Sequence, residues 1–399
     1  MPSSENQGSF SRIPFPSFRR GIFAIKSDQI HSVESEQGGS SSQESQGSEL
    51  RSFQRLVSSR FSDLSVANGE EFLSVSWVRK LLDAFGDCQD EFRAVLCSRK
   101  EFISKQPQDK ILSDYFDMNI KALDICNATR DGIQKIHLWQ RHLEIVVSAL
   151  DPPQQRVIGE SHLRRARKAL TDLSLAMLDE KDTVSVFSIR NRSFGHHNRS
   201  KDHPQRSPRH LRSLSWSVSP SWSASKQLQL IANGLAPPNA NEVAATNGLA
   251  TLVFTMSHVL LFVLWAIVAA IPCQDHGLQT NITIPSLFPW SRSLQTLHSR
   301  IMEESKKRSR NSNNGLLKEI HQIEKGVHRL SELLDSPQLP LSSEHKEDVR
   351  ESVGTLSLVS KTYQTELGPL ERQLREVFRK IRTCRAEGLE FLANAAAHS

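Results

Sequence analysis

Apolar residues recur every three or four positions along most of this chain, and this spacing predicts α-helices rather than strands. The longest stripe begins near Asp109 and ends at Pro152 and Pro153, which predicts one helix of roughly forty residues, about 60 Å long. Further helical stripes precede it from Glu49 and follow it over residues 160–181. Helices with such apolar stripes must bury them against one another, so together they predict a helical bundle.

The C-terminal part returns to the helical period after residue 290. One stripe opens with Leu294, a second ends before Pro337, and two more are separated by Gly368 and Pro369. Proline lacks a backbone N–H and clashes with the preceding turn, so a break between two helices is predicted at this dipeptide. Because no alternating pattern typical of strands competes over these stretches, the predicted fold class is all-α, an elongated helical bundle.

Changes in composition divide the chain into segments. Residues 1–48 are rich in Ser, Gln, Glu and Gly, which predicts a disordered tail. A short helix is predicted over Ala224–Asn233, ended by Gly234, inside an otherwise irregular linker. After the tail, the predicted order is an N-terminal helical bundle (49–182), a Ser/Arg-rich linker (183–248), an apolar helix (249–271), a loop (272–289) and C-terminal helices (290–399).

The segment Leu249–Ile271 contains no Asp, Glu, Lys or Arg and stops at Pro272. As a helix it would measure about 34 Å, against roughly 30 Å of bilayer hydrocarbon. Two interpretations stay open: a single membrane span, or a helix buried on all sides within the bundle. Thr251, Thr255 and His258 share one stripe, as expected for side chains that bond to neighbouring helices. The candidate span residues are Leu249, Leu260, Leu261, Phe262, Trp265 and Ile271.

The charge of the chain is concentrated in the linker. Lys and Arg total 50 against 44 Asp and Glu, a formal net charge of +6 at pH 7. Between Arg190 and Lys226, eight basic residues stand against one acid, Asp202. An anionic lipid surface is the partner that such a segment favours, because each basic residue contributes about 1 kcal/mol there.

Serines follow arginines at several places in the same linker, and from Ser213 to Ser225 they alternate with residues that include Trp216 and Trp222. Phosphorylation in Arg-x-x-Ser or Ser-Pro contexts would offset the local positive charge and act as an electrostatic switch. The tryptophans predict a docking strip for a partner groove or a membrane interface, and the alternative is a solvated linker without such a role. The candidate docking and regulatory residues are Ser193, Arg212, Ser215, Trp216, Ser219 and Trp222.

The chain lacks the short sequence motifs that mark common catalytic, nucleotide-binding and metal-binding sites. The chain has no P-loop, G-x-G-x-x-G, H-E-x-x-H, G-x-S-x-G or EF-hand pattern, and its five cysteines form no C-x-x-C pair. The sequence therefore predicts no enzyme activity, catalytic residue, cofactor or metal site. Because no RRM, KH or zinc-knuckle pattern accompanies the Arg/Ser tract, no nucleic-acid partner is predicted.

Several long blocks of sequence resemble the plant ROH family, relatives of the BYPASS proteins. They include ALDICNATRDGIQKI (122–136), VLLFVLWAIVAAIPCQDHGLQ (259–279) and EESKKRSRNSNNGLLKEI (303–320), and the similarity covers most of the chain. The resemblance implies a helical, non-enzymatic adaptor that binds the seventy-kilodalton subunit of the exocyst. It also implies roles in polarised secretion and in deposition of wall polysaccharide such as mucilage.

The same resemblance implies a membrane-associated protein, a single-pass candidate with a cytosolic pool. The alternative is a soluble helical scaffold controlled by phosphorylation, with Leu249–Ile271 buried in its core.

Overall fold

A computed structural model describes residues 40–150, 159–178, 222–273, 280, 282–308, 314–335 and 342–396. These residues form eleven α-helices and no strand, so the all-α prediction is confirmed. The helices are α1 (Ser40–Ser65), α2 (Val75–Ser98), α3 (Lys100–Ile103), α4 (Gln108–Leu150), α5 (Glu160–Met177), α6 (Ala224–Asn233), α7 (Ala240–Ala245), α8 (Leu249–Ala270), α9 (Ser291–Lys307), α10 (Lys318–Asp335) and α11 (Ser343–Ala396).

Side-chain caps start several of the helices. Ser74 accepts a hydrogen bond from Trp77 N at 3.1 Å at the start of α2, and Ser223 accepts one from Lys226 N at 3.1 Å at the start of α6. Each cap satisfies a backbone donor that has no partner within the first turn. The predicted helix Ala224–Asn233 is thereby confirmed, with Gly234 at its C-terminal end.

The two longest helices, α4 and α11, pack against each other along the bundle. Helix α4 also contacts α5, α6 and α8, and α11 also contacts α2 and α10. Every helix except α7 contributes buried apolar side chains to one continuous hydrophobic core. The described residues from Ser42 onwards form a single compact unit built on this core.

Helical or packed structure extends into two segments that the sequence predicted as a tail and a linker. Helix α1 begins at Ser40, nine positions before Glu49, so the predicted tail boundary at residue 48 is wrong for the backbone of residues 40–48. Apolar periodicity does not detect such an extension, because a nucleated helix lengthens through polar residues at little cost. The C-terminal part of the predicted linker also packs, since Leu228 and Ile231 of α6 are buried in the core.

Helix α11 runs without a break through Gly368 and Pro369, so the predicted division at this dipeptide is wrong. A proline removes one hydrogen bond of the helix, the one that the carbonyl of Thr365 would accept. Leu367 and Leu370, on either side, are both fully buried. Burial of apolar side chains both before and after the proline holds the helix together despite the lost bond.

Candidate functional site

Helix α8, the apolar segment, is enclosed by the bundle along its whole length. No residue of Leu249–Ala270 is more than 8% exposed. The structure therefore has this helix inside the core, which is one of the two environments compatible with the sequence. It is also the one helix among the described residues that is long and apolar enough to cross a membrane, so insertion stays a prediction. All six candidate span residues are buried: Leu249, Leu260, Leu261, Phe262, Trp265 and Ile271.

Aromatic contacts fix α8 between α1 and α9. The ring of Phe262 meets that of Phe61 in α1 edge-on, with centroids 5.8 Å apart. The ring of Trp265 stacks on His298 of α9 at 4.6 Å. Burial lowers the pKa of His298, so the stacked imidazole is neutral near pH 7. Such pairs add specific geometry to the burial of the helix.

Thr255 and His258 of α8 have hydrogen-bond partners within the bundle. Thr255 Oγ1 donates to Thr251 O at 2.8 Å and accepts from Trp290 Nε1 at 3.2 Å. His258 Nδ1 lies 3.0 Å from Phe254 O, and burial lowers the pKa of this imidazole. Backbone hydrogen bonds with Phe254 and Thr283 act on its pKa in the opposite direction. Of the stripe predicted to bond to neighbours, Thr255 does so through its side chain.

The C-terminal end of α8 is capped by the backbone of a later segment. Leu316 N donates to Ala269 O at 2.9 Å, and Leu317 N donates to Ala270 O at 3.1 Å. Gly315 makes this approach with φ +92°, and a Cβ atom there would lie 2.4 Å from Ala270 O. The two bonds satisfy carbonyls that a helix end otherwise leaves without partners.

A buried carboxylate joins this cap to α2. Glu319 is 6% exposed, and its Oε1 accepts from Val75 N at 3.1 Å at the start of α2. Lys318 N donates to Leu73 O at 2.9 Å beside it. Burial raises the pKa of Glu319, against the lowering effect of its backbone hydrogen bonds and of nearby Lys318 and Arg308. The block 303–320, quoted above for its family resemblance, thus ties the end of α8 to the start of α2.

Of the candidate docking residues, the structure describes Trp222. Its side chain is partly buried and packs against the hydrophobic core immediately before α6. Part of this ring is therefore committed to packing, and its docking role stays a prediction. The other five candidates lie outside the described residues: Ser193, Arg212, Ser215, Trp216 and Ser219.

Sequence reasoning missed a surface groove between α4 and α11. It has a volume of about 330 Å³ and is lined by Cys126, Asn127, Arg130, Leu374, Arg375, Phe378, Arg379 and Arg382. The signal in the sequence was the spacing of Arg375, Arg379 and Arg382, which places three cations on one face of a helix. Such a row is ordinarily read as a solvated face, because the apolar floor comes partly from a helix about 250 residues away in sequence.

Comparison with known proteins gives matches along nearly the whole chain. Residues 10–392 match the family described as Protein ROH1-like. Protein ROH1D of Arabidopsis thaliana is 48% identical over 398 residues, which cover 98% of each chain. Protein ROH1A of the same plant is 34% identical over 428 aligned positions, covering 99% of this chain and 98% of the relative.

A more distant relative is UPF0496 protein 4 of Oryza sativa subsp. indica. It is 21% identical over 290 residues, which cover 73% of this chain and 55% of the relative. No solved structure matches the chain.

Proposed function

The chain belongs to the ROH1-like family of plant proteins, and we propose that it is a non-enzymatic adaptor that binds the seventy-kilodalton subunit of the exocyst. In this role it modulates polarised secretion and the deposition of cell-wall polysaccharide such as mucilage. The observation that carries the proposal is similarity to this family over residues 10–392, nearly the whole chain.

The fold supports an adaptor role by the kind of surface it offers. Most apolar side chains of the described helices are gathered into one core, and α4, α5 and α11 present largely polar faces outward, with a few exposed apolar residues such as Ile120, Leu138 and Leu358. Extended helical faces give the contact area that protein partners need. The bundle is therefore suited to holding a partner along its length.

The partner is tested with purified proteins. The full-length chain, immobilised through a terminal tag, is exposed to the recombinant seventy-kilodalton exocyst subunit, with a second exocyst subunit as the control. Saturable binding of the first subunit and none of the second is expected. Absence of binding both before and after phosphatase treatment of the bait contradicts the proposal.

The enclosed position of α8 favours one arrangement of this adaptor at the membrane. We propose that the cytosolic pool is the closed bundle and that the membrane-bound pool is held on anionic lipid by the basic segment Arg190–Lys226. Electrostatic attachment of this kind weakens with salt and with phosphorylation of the segment. This arrangement combines the adaptor role with the phosphorylation-controlled scaffold in which the apolar helix stays buried.

Fractionation of plant membranes separates attachment from insertion. The full-length chain is expected to leave the membrane pellet at high salt and to appear in the supernatant after alkaline carbonate extraction. A carbonate-resistant pellet would show instead that Leu249–Ile271 spans the bilayer. A variant with the arginines of residues 190–212 replaced by glutamine serves as the control and is expected to lose the salt-sensitive pool.

A further inference from the structure

The groove between α4 and α11 has an apolar floor. Cys126 of α4 and Leu374 of α11 are both 2% exposed, and Phe378 is partly buried beside them. Burial raises the pKa of the Cys126 thiol to about 12, so it is an uncharged part of this floor. A cavity of about 330 Å³ above these side chains has room for an aliphatic or aromatic side chain and a short stretch of its backbone.

The rim of the groove is cationic. Arg130 reaches it from α4, and Arg375, Arg379 and Arg382 reach it from α11. The residues that line the groove include no carboxylate. Four guanidinium groups around an apolar floor give a surface complementary to an anion that also carries an apolar group.

The arginines are available to a partner. Arg130 pairs with Asp131 at 3.4 Å, Arg375 pairs with Glu371 at 2.8 Å, and Arg379 pairs with Glu376. The three arginine side chains are 43%, 62% and 59% exposed, and pairs of exposed side chains contribute little and exchange readily; Glu371, at 17% exposure, is the most firmly held of the three acids.

We propose that this groove, formed by α4 and α11, binds an acidic peptide segment of a partner protein. One apolar side chain of the peptide rests on Cys126, Leu374 and Phe378, and carboxylates on either side of it meet the four arginines. A polyanion without an apolar group would leave the floor in contact with water. The inference rests on the proposed adaptor function, because it states what chemistry that adaptor recognises in its partner.

The test uses the full-length chain and a defined probe. Fluorescein-labelled peptide EDELFDEE is titrated in about 100 mM salt, near physiological screening, and binding is followed by fluorescence anisotropy. Affinity is expected to fall about tenfold or more for peptide EDESSDEE, which keeps the charge and lacks the apolar pair. A similar loss is expected for the double variant Arg375→Gln and Arg382→Gln, whose exposed positions preserve the fold.

A matched control removes the same charge elsewhere. Arg164→Gln with Arg165→Gln, on the exposed face of α5, is expected to bind EDELFDEE within twofold of the unaltered chain. This comparison also corrects for peptide held by the basic segment Arg190–Lys226. Phe378→Ser tests the floor, with a thermal melt to show that the bundle remains folded, and is expected to weaken EDELFDEE and leave EDESSDEE unchanged.

Three outcomes overturn the proposal. Equal affinity for the two peptides, or equal loss in the groove and control variants, means that the chain attracts polyanions without a docking groove. If inositol hexakisphosphate displaces EDELFDEE more strongly than unlabelled peptide does, the groove is a phosphate site. If the chain does not bind the peptide but binds phosphatidylcholine vesicles with 20 mol% phosphatidylserine, and this binding depends on Arg375 and Arg382, the groove binds a lipid surface.

The peptide-binding experiment and the exocyst-binding experiment can fail independently of each other. If the exocyst subunit binds and EDELFDEE does not, the adaptor role stands and the groove proposal fails. If EDELFDEE binds through the groove and the exocyst subunit does not bind, the acidic-peptide site stands and the partner is a different protein.

Discussion

Gly315 illustrates how much one backbone position contributes to the core. Its φ of +92° lies in the left-handed region, and its Cα approaches the end of α8 so closely that a side chain would meet the carbonyl of Ala270. That carbonyl belongs to the backbone and is itself hydrogen-bonded to Leu317 N, so it has no room to shift. Glycine is the residue that combines this dihedral with this approach.

Replacing Gly315 with alanine is expected to lower the free energy of unfolding by more than about 1 kcal/mol, because strain and a clash coincide. Urea denaturation followed by circular dichroism measures the change. Gly354→Ala is the control, since Gly354 is exposed in α11 with no atom within 4 Å of an added Cβ. That variant is expected to be more stable by about 0.5–1 kcal/mol. Equal behaviour of the two variants would argue against the tight contact at Gly315.

Glu319 makes the stability of the bundle depend on pH. Burial raises its pKa above the ordinary value of 4.5. The stability it contributes is fully present below about pH 4.5 and is lost as the pH rises through the pKa of the folded state. Glu319→Gln has no such loss, so the free energy of unfolding of the variant minus that of the wild type is expected to increase with pH.

Urea denaturation between pH 4 and 7 gives this difference. Glu376→Gln is the control of opposite sign, because the hydrogen bond from Arg379 lowers the pKa of Glu376, and the stability of that pair is lost as the pH falls. A difference for Glu319→Gln that stays constant with pH would mean that the carboxylate is not buried.

The role of Glu319 was outside the reach of sequence reasoning. The apolar stripe of α10 identifies Ile320 and Ile323 as buried, and the structure confirms both. A glutamate next to such a stripe is ordinarily solvated. Its partner, the backbone N–H of Val75, is 244 positions away, and no local sequence pattern predicts a contact at that separation.

At the scale of elements, α8 owes its position to large side chains with defined contacts. Phe262→Ala is expected to cost about 3–5 kcal/mol of unfolding free energy, because a fully buried ring that contacts Phe61 is replaced by a cavity. Leu358→Ala in α11 is the control, as Leu358 is 64% exposed and its loss is expected to change stability by less than about 0.5 kcal/mol. A small effect of Phe262→Ala in the isolated protein would contradict burial of α8 in the bundle.

Helix α11 carries a proline that its own geometry does not favour. Pro369→Ala restores an N–H donor within the helix and is expected to raise the unfolding free energy by about 2 kcal/mol, after allowance for the freer unfolded chain. Thermal unfolding measures the gain, and Gly368→Ala, whose added Cβ has only an ordinary contact 3.7 Å from Arg372, shows the effect of propensity alone. Destabilisation by Pro369→Ala would mean that the bundle depends on a bend at this position.

The sequence was a good guide to elements whose ends carry local signals. The long helix was expected to begin near Asp109 and to stop at Pro152, and α4 spans Gln108–Leu150. The end of α6 was expected at Gly234 because glycine commonly terminates helices, and it lies there. Prediction failed at Pro369, where a strong local stop signal is overridden by burial of Leu367 and Leu370.

At the scale of the molecule, the core joins helices that are far apart in the chain. Helix α4 packs against α5 but also against α8 and α11, and α2 packs against α8 and α11. The segment 49–182, predicted as a bundle of its own, therefore shares its apolar faces with helices that follow residue 222. Whether residues 49–182 fold independently is tested with a fragment that lacks the later helices.

A fragment of residues 49–182 is expected to lack cooperative urea unfolding and to bind the dye ANS, because the faces that meet α8 and α11 become exposed. Co-expression with residues 222–399 is expected to restore a complex that copurifies and excludes the dye. Cooperative unfolding of the fragment by itself would show that the predicted N-terminal domain boundary is real.

The environment of the apolar helix could not be decided from its own residues. Length and apolarity meet the requirements of a bilayer and of a protein interior equally well. In the structure, α2 and α4 pack against α8, and the later segment with Leu316 and Leu317 caps its C-terminal end. The arginine-lined groove was missed for a related reason, as its floor and rim come from α4 and α11 together.

The cap on α8 has a consequence for biosynthesis. Leu316 and Leu317 leave the ribosome some seconds after Ala270, at translation rates of about 5–20 residues per second. During that interval the apolar segment Leu249–Ala270, which is long enough to span a membrane, has been synthesised but the backbone that caps its C-terminal end has not. Slower translation of residues 271–317 is therefore expected to lengthen the time for which Leu249–Ala270 lacks its C-terminal cap.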